Sequence, residues 1–159
     1  MSEAEAPLAH AASPPPLRLI IPLVAVAGAL GALARVGLGE LVPEQAMKFP
    51  WTTLAVNASG SLVLGLVVGM ASVRPNTPRW LVPTLGTGFL SAYTTFSTVI
   101  IGVMPSFPGG AFDELTGLTY LSPGTAEMAA YLVISVLGCT AAAAAGIVMG
   151  RSILGGTAE

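Results

Sequence analysis

The run Gly88-Phe89-Leu90-Ser91-Ala92-Tyr93-Thr94-Thr95-Phe96-Ser97-Thr98 places a cluster of hydroxyls inside an apolar stretch spanning 80–104. Polar groups are expensive in hydrocarbon unless they face a partner or an aqueous path. The segment therefore points to transport rather than to a simple anchor. Gly86 and Gly88 precede the hydroxyls and permit an irregular backbone. At membrane depth such backbone is tolerated only where it is buried in protein or lines a cavity. A broken helix exposes N–H groups at one half-helix start and carbonyls near the break. Such a break can hold an anion, a cation, or both.

Other polar residues share membrane depth with it. Thr53 and Asn57 are four apart and lie on one helix face. Asn57 offers two donors and an acceptor, for a neighbouring helix or for a ligand. Tyr131, Ser135 and Cys139 repeat every four residues and form a second stripe, readable as packing or as a polar track. Arg35 lies well inside the first apolar stretch. It either snorkels to the interface or sets a fixed positive charge at a pore mouth. Glu40, near the end of that stretch, reads as interfacial. No Asp or Glu lies in the core of the later stretches, which argues against a proton- or cation-coupled carboxylate transporter. Donors dominate instead: Asn57, Thr94, Thr95, Ser97, Thr98 and Ser135. Phe96 adds an electropositive ring edge. This set suits a small anion that must bind and leave, and does not name the anion.

The elements that must position these groups are helices in a bilayer. The chain has 159 residues, 53% hydrophobic and 9% charged, unlike a soluble domain. Apolar stretches at 19–41, 51–73, 80–104 and 126–150 each match the length of a membrane span. The expected architecture is all-α and integral to the membrane, with four transmembrane helices and the third one broken. Residues 1–17 read as a disordered tail, 18–151 as the membrane domain and 152–159 as a C-terminal tail. The acidic N-terminus makes a poor signal peptide. Loop 105–125 is rich in Pro and Gly and reads as surface. Gly65-x-x-x-Gly69 and the Ala141–145 run before Gly146 read as close helix packing. With an even number of spans, Arg18, Arg74, Arg79 and Arg151 share one side, and Lys48 lies opposite with Asp113 and Glu114. The positive-inside rule then puts both termini in the cytoplasm, in a cell membrane. One cysteine, Cys139, and one histidine, His10, leave no thiol cluster or metal set, and no nucleophile–base pair lies at membrane depth for an enzyme. A net charge of −2 without a basic patch excludes a nucleic-acid partner.

Along nearly all of its apolar length the chain resembles the CrcB/Fluc family of fluoride channels. Gly28-Ala29-Leu30-Gly31-Ala32-Leu33-Ala34-Arg35 is similar to the family's first-helix motif. Thr53-Leu54-Ala55-Val56-Asn57-Ala58-Ser59-Gly60-Ser61 resembles its second-helix Thr-Leu-x-Val-Asn-x-x-Gly-Ser motif. Residues 88–98 resemble its third-helix motif. The resemblance implies an antiparallel, dual-topology dimer of four-helix subunits that exports fluoride passively and so lowers cytoplasmic fluoride. It implies a structural sodium ion on backbone carbonyls, here those of Ser91 and Thr94. It implies that Asn57 contacts fluoride beside the Phe96 edge, with Thr53, Thr95, Ser97 and Thr98 along the path and Arg35 at its mouth. Tyr131, Ser135 and Cys139 resemble the family's fourth-helix Tyr/Ser track, with Cys139 replacing a hydroxyl.

Two departures matter. The motif's Gly-Gly is Ser91-Ala92, and its second pore phenylalanine is Val99. Together with the one-sided arginines, these suggest one member of a heteromeric pair, in which an oppositely oriented paralogue supplies the missing ring; the alternative is a homodimer. The competing readings are a small four-helix multidrug transporter and a non-transporting membrane assembly protein. The first would need an embedded acid in the first helix, where only Glu40 is near. The second leaves the hydroxyl cluster unexplained.

Overall fold

A computed structural model describes residues 17–43, 50–97, 99 and 125–155, the side chains of 125–128 excepted. Both far termini, loop 105–124, Lys48 and Thr98 lie outside the described residues, as does the third apolar stretch from 100 onward. Three helices are long and apolar enough to cross a membrane: α1 (Leu17–Leu41), α2 (Trp51–Val73) and α4 (Thr125–Gly155), the last counted from Ala129. Between α2 and α4 lie a π-helical segment, Pro83–Leu90, and the short α3, Ser91–Tyr93. No strand occurs among the described residues. The helix of α4 continues to Gly155, past the end of the expected span.

The π-helical turn follows from its residues. Pro83 has no N–H to give, and Gly86 and Gly88 remove side chains from the wall of the turn. The backbone widens, and the Ser91 N–H reaches the Gly86 carbonyl five residues back. Widened turns of this kind are frequent at functional sites.

Glycine contacts set how the helices pack. α2 packs along α4, and α1 packs along the π-helical segment. A methyl on Gly65 or Gly69 would run into the backbone of Ala143 or Ile147, and one on Gly146 or Gly150 into that of Leu62 or Leu66. The Gly65-x-x-x-Gly69 and Ala141–Gly146 expectations are thus met by one shared interface. On the other pair, a methyl on Gly88 would lie 2.9 Å from the Val24 carbonyl oxygen, and Gly31 receives the Phe89 backbone. Without a hydrophobic drive between helices in lipid, this close approach supplies the dispersion contacts.

The pairing also fixes direction. Higher numbers on α2 meet higher numbers on α4, so these two helices run parallel. α1 and the π-helical segment are parallel for the same reason, with Gly28 near Gly88 and Arg35 near Ala92. The Thr52 hydroxyl donates to the Val42 carbonyl at 3.0 Å and joins the end of α1 to the start of α2. Arg18 in the first turn of α1, Arg74 just after α2, Arg79 just before the third stretch and Arg151 near the end of α4 therefore share one end. The Arg151 Nε donates to the Ser72 hydroxyl there at 3.3 Å.

Replacing Gly65 by leucine should drive α2 from α4 and cost about 1–3 kcal/mol, the usual penalty of overpacking. A methyl added at Gly37 would meet nothing within 4 Å, so Gly37→Ala should leave stability unchanged or raised. Thermal unfolding in detergent, followed by size-exclusion homogeneity, separates the two variants.

Candidate functional site

The helix of the third stretch stops at Tyr93. Thr94 takes extended backbone, φ −81° and ψ 154°. Thr95 and Phe96 stay non-helical, and helical geometry returns at Ser97 and Val99. Thr94 ends the helix on itself: its N–H and its hydroxyl both donate to the Leu90 carbonyl, each at 2.9 Å. That hydroxyl is therefore already engaged as a donor.

Asn57 holds the interruption open. Its Nδ2 donates to the Thr95 carbonyl at 2.9 Å, and its Oδ1 accepts the Thr95 N–H at 2.8 Å. The carboxamide thus supplies both partners that a helix would have given Thr95. Asn57 is 8% exposed. One of its two N–H donors remains beyond the Thr95 pair. Gly60, one turn further along α2, makes room. A methyl there would come within 3.0 Å of the Tyr93 ring and closer still to the Thr94 methyl. The Tyr93 hydroxyl lies 3.3 Å from that of Ser59, and its ring stacks on Phe89 with centroids 6.1 Å apart.

Arg35 braces the other side. Its Nε donates to the Ala92 carbonyl at 3.3 Å. The last carbonyls of a helix lack intrahelical donors, and a cation there also meets the negative end of the helix dipole. Arg35 is thus half-buried against α3 as well as placed on a cavity wall.

Two cavities flank the clasp, and Thr95 lines both. The first, about 340 Å³, is lined by Arg35, Glu40, Thr52, Thr53 and Thr95 among others, at the end of the bundle opposite the four arginines. The second, about 290 Å³, is lined by Asn57, Ser61, Thr94, Thr95, Phe96 and Ser135, with Val99, Cys139 and Thr140. Thr53, Asn57 and Ser61 descend α2 at one turn each and so pass from one cavity to the other.

Most residues singled out from the sequence meet here. Ser135 is 5% exposed, and its hydroxyl has no hydrogen-bond partner among the described residues. Ser97 shares a hydrogen bond with the Thr95 hydroxyl at 2.9 Å. Tyr131 is fully buried and packs on Val99, itself 2% exposed, so Val99 is core as well as cavity wall. Phe96 is 63% exposed with one face on the second cavity. Ser91 is exposed in the last turn before the interruption. Thr98 lies outside the described residues. The sequence reading missed Ser61, Thr52 and Thr140 as cavity-lining groups. Extending the Thr53–Asn57 spacing by one more turn would have found Ser61. Gly60 belongs to the second-helix motif, yet its role is steric and visible only once Thr94 is placed.

A sodium ion on the carbonyls of Ser91 and Thr94 fits the donor chemistry. Both residues border the interruption, where carbonyls outnumber intrahelical donors, and unwound backbone carbonyls are the usual ligands of such ions in broken helices. The described residues hold no cluster of His, Cys, Asp or Glu that would favour another metal.

Helices of membrane length with a hydroxyl-bearing interruption, and no strand among the described residues, define a helical membrane protein. The family model described as "CrcB-like protein, Camphor Resistance (CrcB)" matches residues 22–147, and the chain belongs to that family. It is similar to a protein of Symbiobacterium thermophilum named fluoride-specific ion channel FluC 1, 38% identical over 72% of this chain and 94% of the relative. A fluoride-specific ion channel FluC of Magnetococcus marinus is 37% identical over 82% of this chain and 96% of its own length. One of Bordetella avium is 33% identical over 78% and 96%. These relatives are named as ion channels, not as enzymes.

Substituting Asn57 by alanine should remove both hydrogen bonds to the Thr95 backbone. Each bond contributes about 0.5–1.5 kcal/mol net, so the variant should unfold below the parent in a detergent melt. Asn57→Gln, with its amide displaced by a methylene, should recover little of that loss.

Proposed function

We propose that this chain is a fluoride channel subunit that lets fluoride leave the cell down its gradient. The observation that carries this is the non-helical stretch at Thr94, Thr95 and Phe96, held by Asn57 between two cavities with polar side chains on their walls. The names of its relatives supply the ion. The path runs from the Arg35 cavity past Thr53 and Thr95 to Asn57, Phe96 and Ser135. Fluoride is a strong hydrogen-bond acceptor. The remaining Asn57 N–H and the Ser135 hydroxyl, which has no partner among the described residues, are donors without full charge, which bind an anion and still release it. Arg35 raises anion concentration at the mouth, and Glu40 on the same wall tempers that field.

Residues 80–104 form the fourth crossing in this reading, a broken helix whose second half begins at Ser97. Two subunits pair in opposite orientations, either two copies of this chain or this chain and a paralogue. The exposed Phe96 and Ser91 support such a cover, because polar backbone beside them cannot face lipid. The Ser91 and Thr94 carbonyls would hold the sodium ion, which would supply positive charge beside the interruption. The end bearing Arg18, Arg74, Arg79 and Arg151 faces the cytoplasm by the positive-inside rule.

Liposomes containing the purified chain alone, loaded with fluoride or with chloride, give the test. Rapid efflux of fluoride and not of chloride is expected. If folded protein passes neither ion, alone or with an oppositely oriented paralogue, the reading fails. In the same assay Ser135→Ala should slow fluoride by about tenfold, the worth of one hydrogen bond to an ion, and leave the melting temperature nearly unchanged.

A further inference from the structure

At the arginine-bearing end, away from the proposed ion path, a third cavity of about 310 Å³ opens between the end of α2 and the start of the third stretch. Met70, Leu81, Leu85 and Leu154 form its apolar wall, and Arg74, Asn76 and Thr77 stand on it as polar groups. The turn holding Arg74 is well tied. Its carbonyl accepts the Thr77 N–H at 3.1 Å and the Thr77 hydroxyl at 2.9 Å. Arg151 is drawn to the same last turn of α2 by its bond to Ser72. Glu40 is the one acidic residue whose side chain is described, and it lies near the opposite end. Arg74 therefore has no carboxylate partner among the described residues.

We propose that this cavity binds one anionic phospholipid, with its phosphate on the Arg74 guanidinium and an acyl chain against Met70, Leu81, Leu85 and Leu154. Charge and depth both select that occupant. The cavity sits where helices that cross the membrane end, so its apolar wall adjoins hydrocarbon while Arg74 adjoins headgroups. Guanidinium pairs with phosphate through its planar fork, and arginines beside a span attract anionic lipid. A free phosphate ion would satisfy Arg74 and leave the leucines uncovered. A zwitterionic lipid would fill the wall but set its own ammonium near Arg74.

The site is independent of ion conduction, and its test reads binding alone. The full chain in detergent micelles is titrated with phosphatidylglycerol and with phosphatidylcholine, and bound lipid is counted by native mass spectrometry. Phosphatidylglycerol should bind at least about fivefold more tightly, in line with one arginine near a charged headgroup. Arg74→Ala should erase that preference, Arg74→Lys should keep part of it, and Leu85→Trp should weaken both lipids by filling the wall. Arg18→Ala removes the same charge from the same end without lining the cavity and should change nothing. Equal affinity for the two lipids overturns the proposal, as does an equal loss on replacing Arg18 or Arg74. Displacement of the lipid by millimolar inorganic phosphate would also overturn it, by assigning the site to a free anion. Arg74 is exposed, so its variants test the site without endangering the fold.

Discussion

The pair of hydrogen bonds between the Asn57 carboxamide and the Thr95 backbone is the constraint on which the rest of the site depends. A helix that stops inside a membrane leaves peptide groups that must find partners in the protein or in a cavity, at a cost of several kcal/mol each if they face lipid. Asn57 presents an acceptor and a donor in the spacing of a peptide group, and so replaces a neighbouring strand with a single side chain. Thr94 and Arg35 settle the helix end before it, through the Leu90 and Ala92 carbonyls. The interruption is thus a satisfied structure, not a defect, and its hydroxyls are divided between holding it and facing the cavities.

That clasp needs close helices, and the glycines provide them. Gly60 admits the interruption to α2, Gly31 and Gly88 bring α1 against the π-helical turn, and Gly65, Gly69, Gly146 and Gly150 join α2 to α4. The two parallel pairs meet mainly where α2 touches the π-helical segment and α3. Asn57 sits at that junction. A methyl on Gly60, Gly65, Gly69, Gly146 or Gly150 would push against α2 and stretch both hydrogen bonds of Asn57 at once. Packing far from the cavities and polarity within them are therefore one design rather than two.

Much of this was legible in the sequence. Composition and apolar length announced membrane helices, and three are present at close to the expected bounds. The small-residue motifs predicted close approach and found it. The hydroxyls after Gly86 and Gly88 marked the irregular backbone, because neither lipid-facing packing nor a regular helix calls for so many of them. What the residues could not reveal was which donors stay available. Thr94 reads as an anion ligand by type, yet its hydroxyl serves its own helix end. Arg35 reads as a pore-mouth charge or a snorkelling side chain, and it also binds a carbonyl 57 positions away in sequence. Those assignments depend on contacts between helices, which periodicity within one helix does not encode.

Val99 shows how one substitution reshapes the wall. At 2% exposure it fills the space against the fully buried Tyr131. A phenylalanine side chain is larger by a ring and would have to displace Tyr131 or turn into the second cavity. The chain has instead paired a small residue with a fixed tyrosine, leaving Phe96 as the one aromatic ring among the described residues that line the second cavity. Phe96 is itself largely uncovered, and a ring edge stabilises an anion only where water is excluded. For the proposed ion path, Phe96 thus needs something to close over it. An oppositely oriented subunit accounts for that need without any further residue from this chain, which is why the proposed dimer and the proposed ion path stand together.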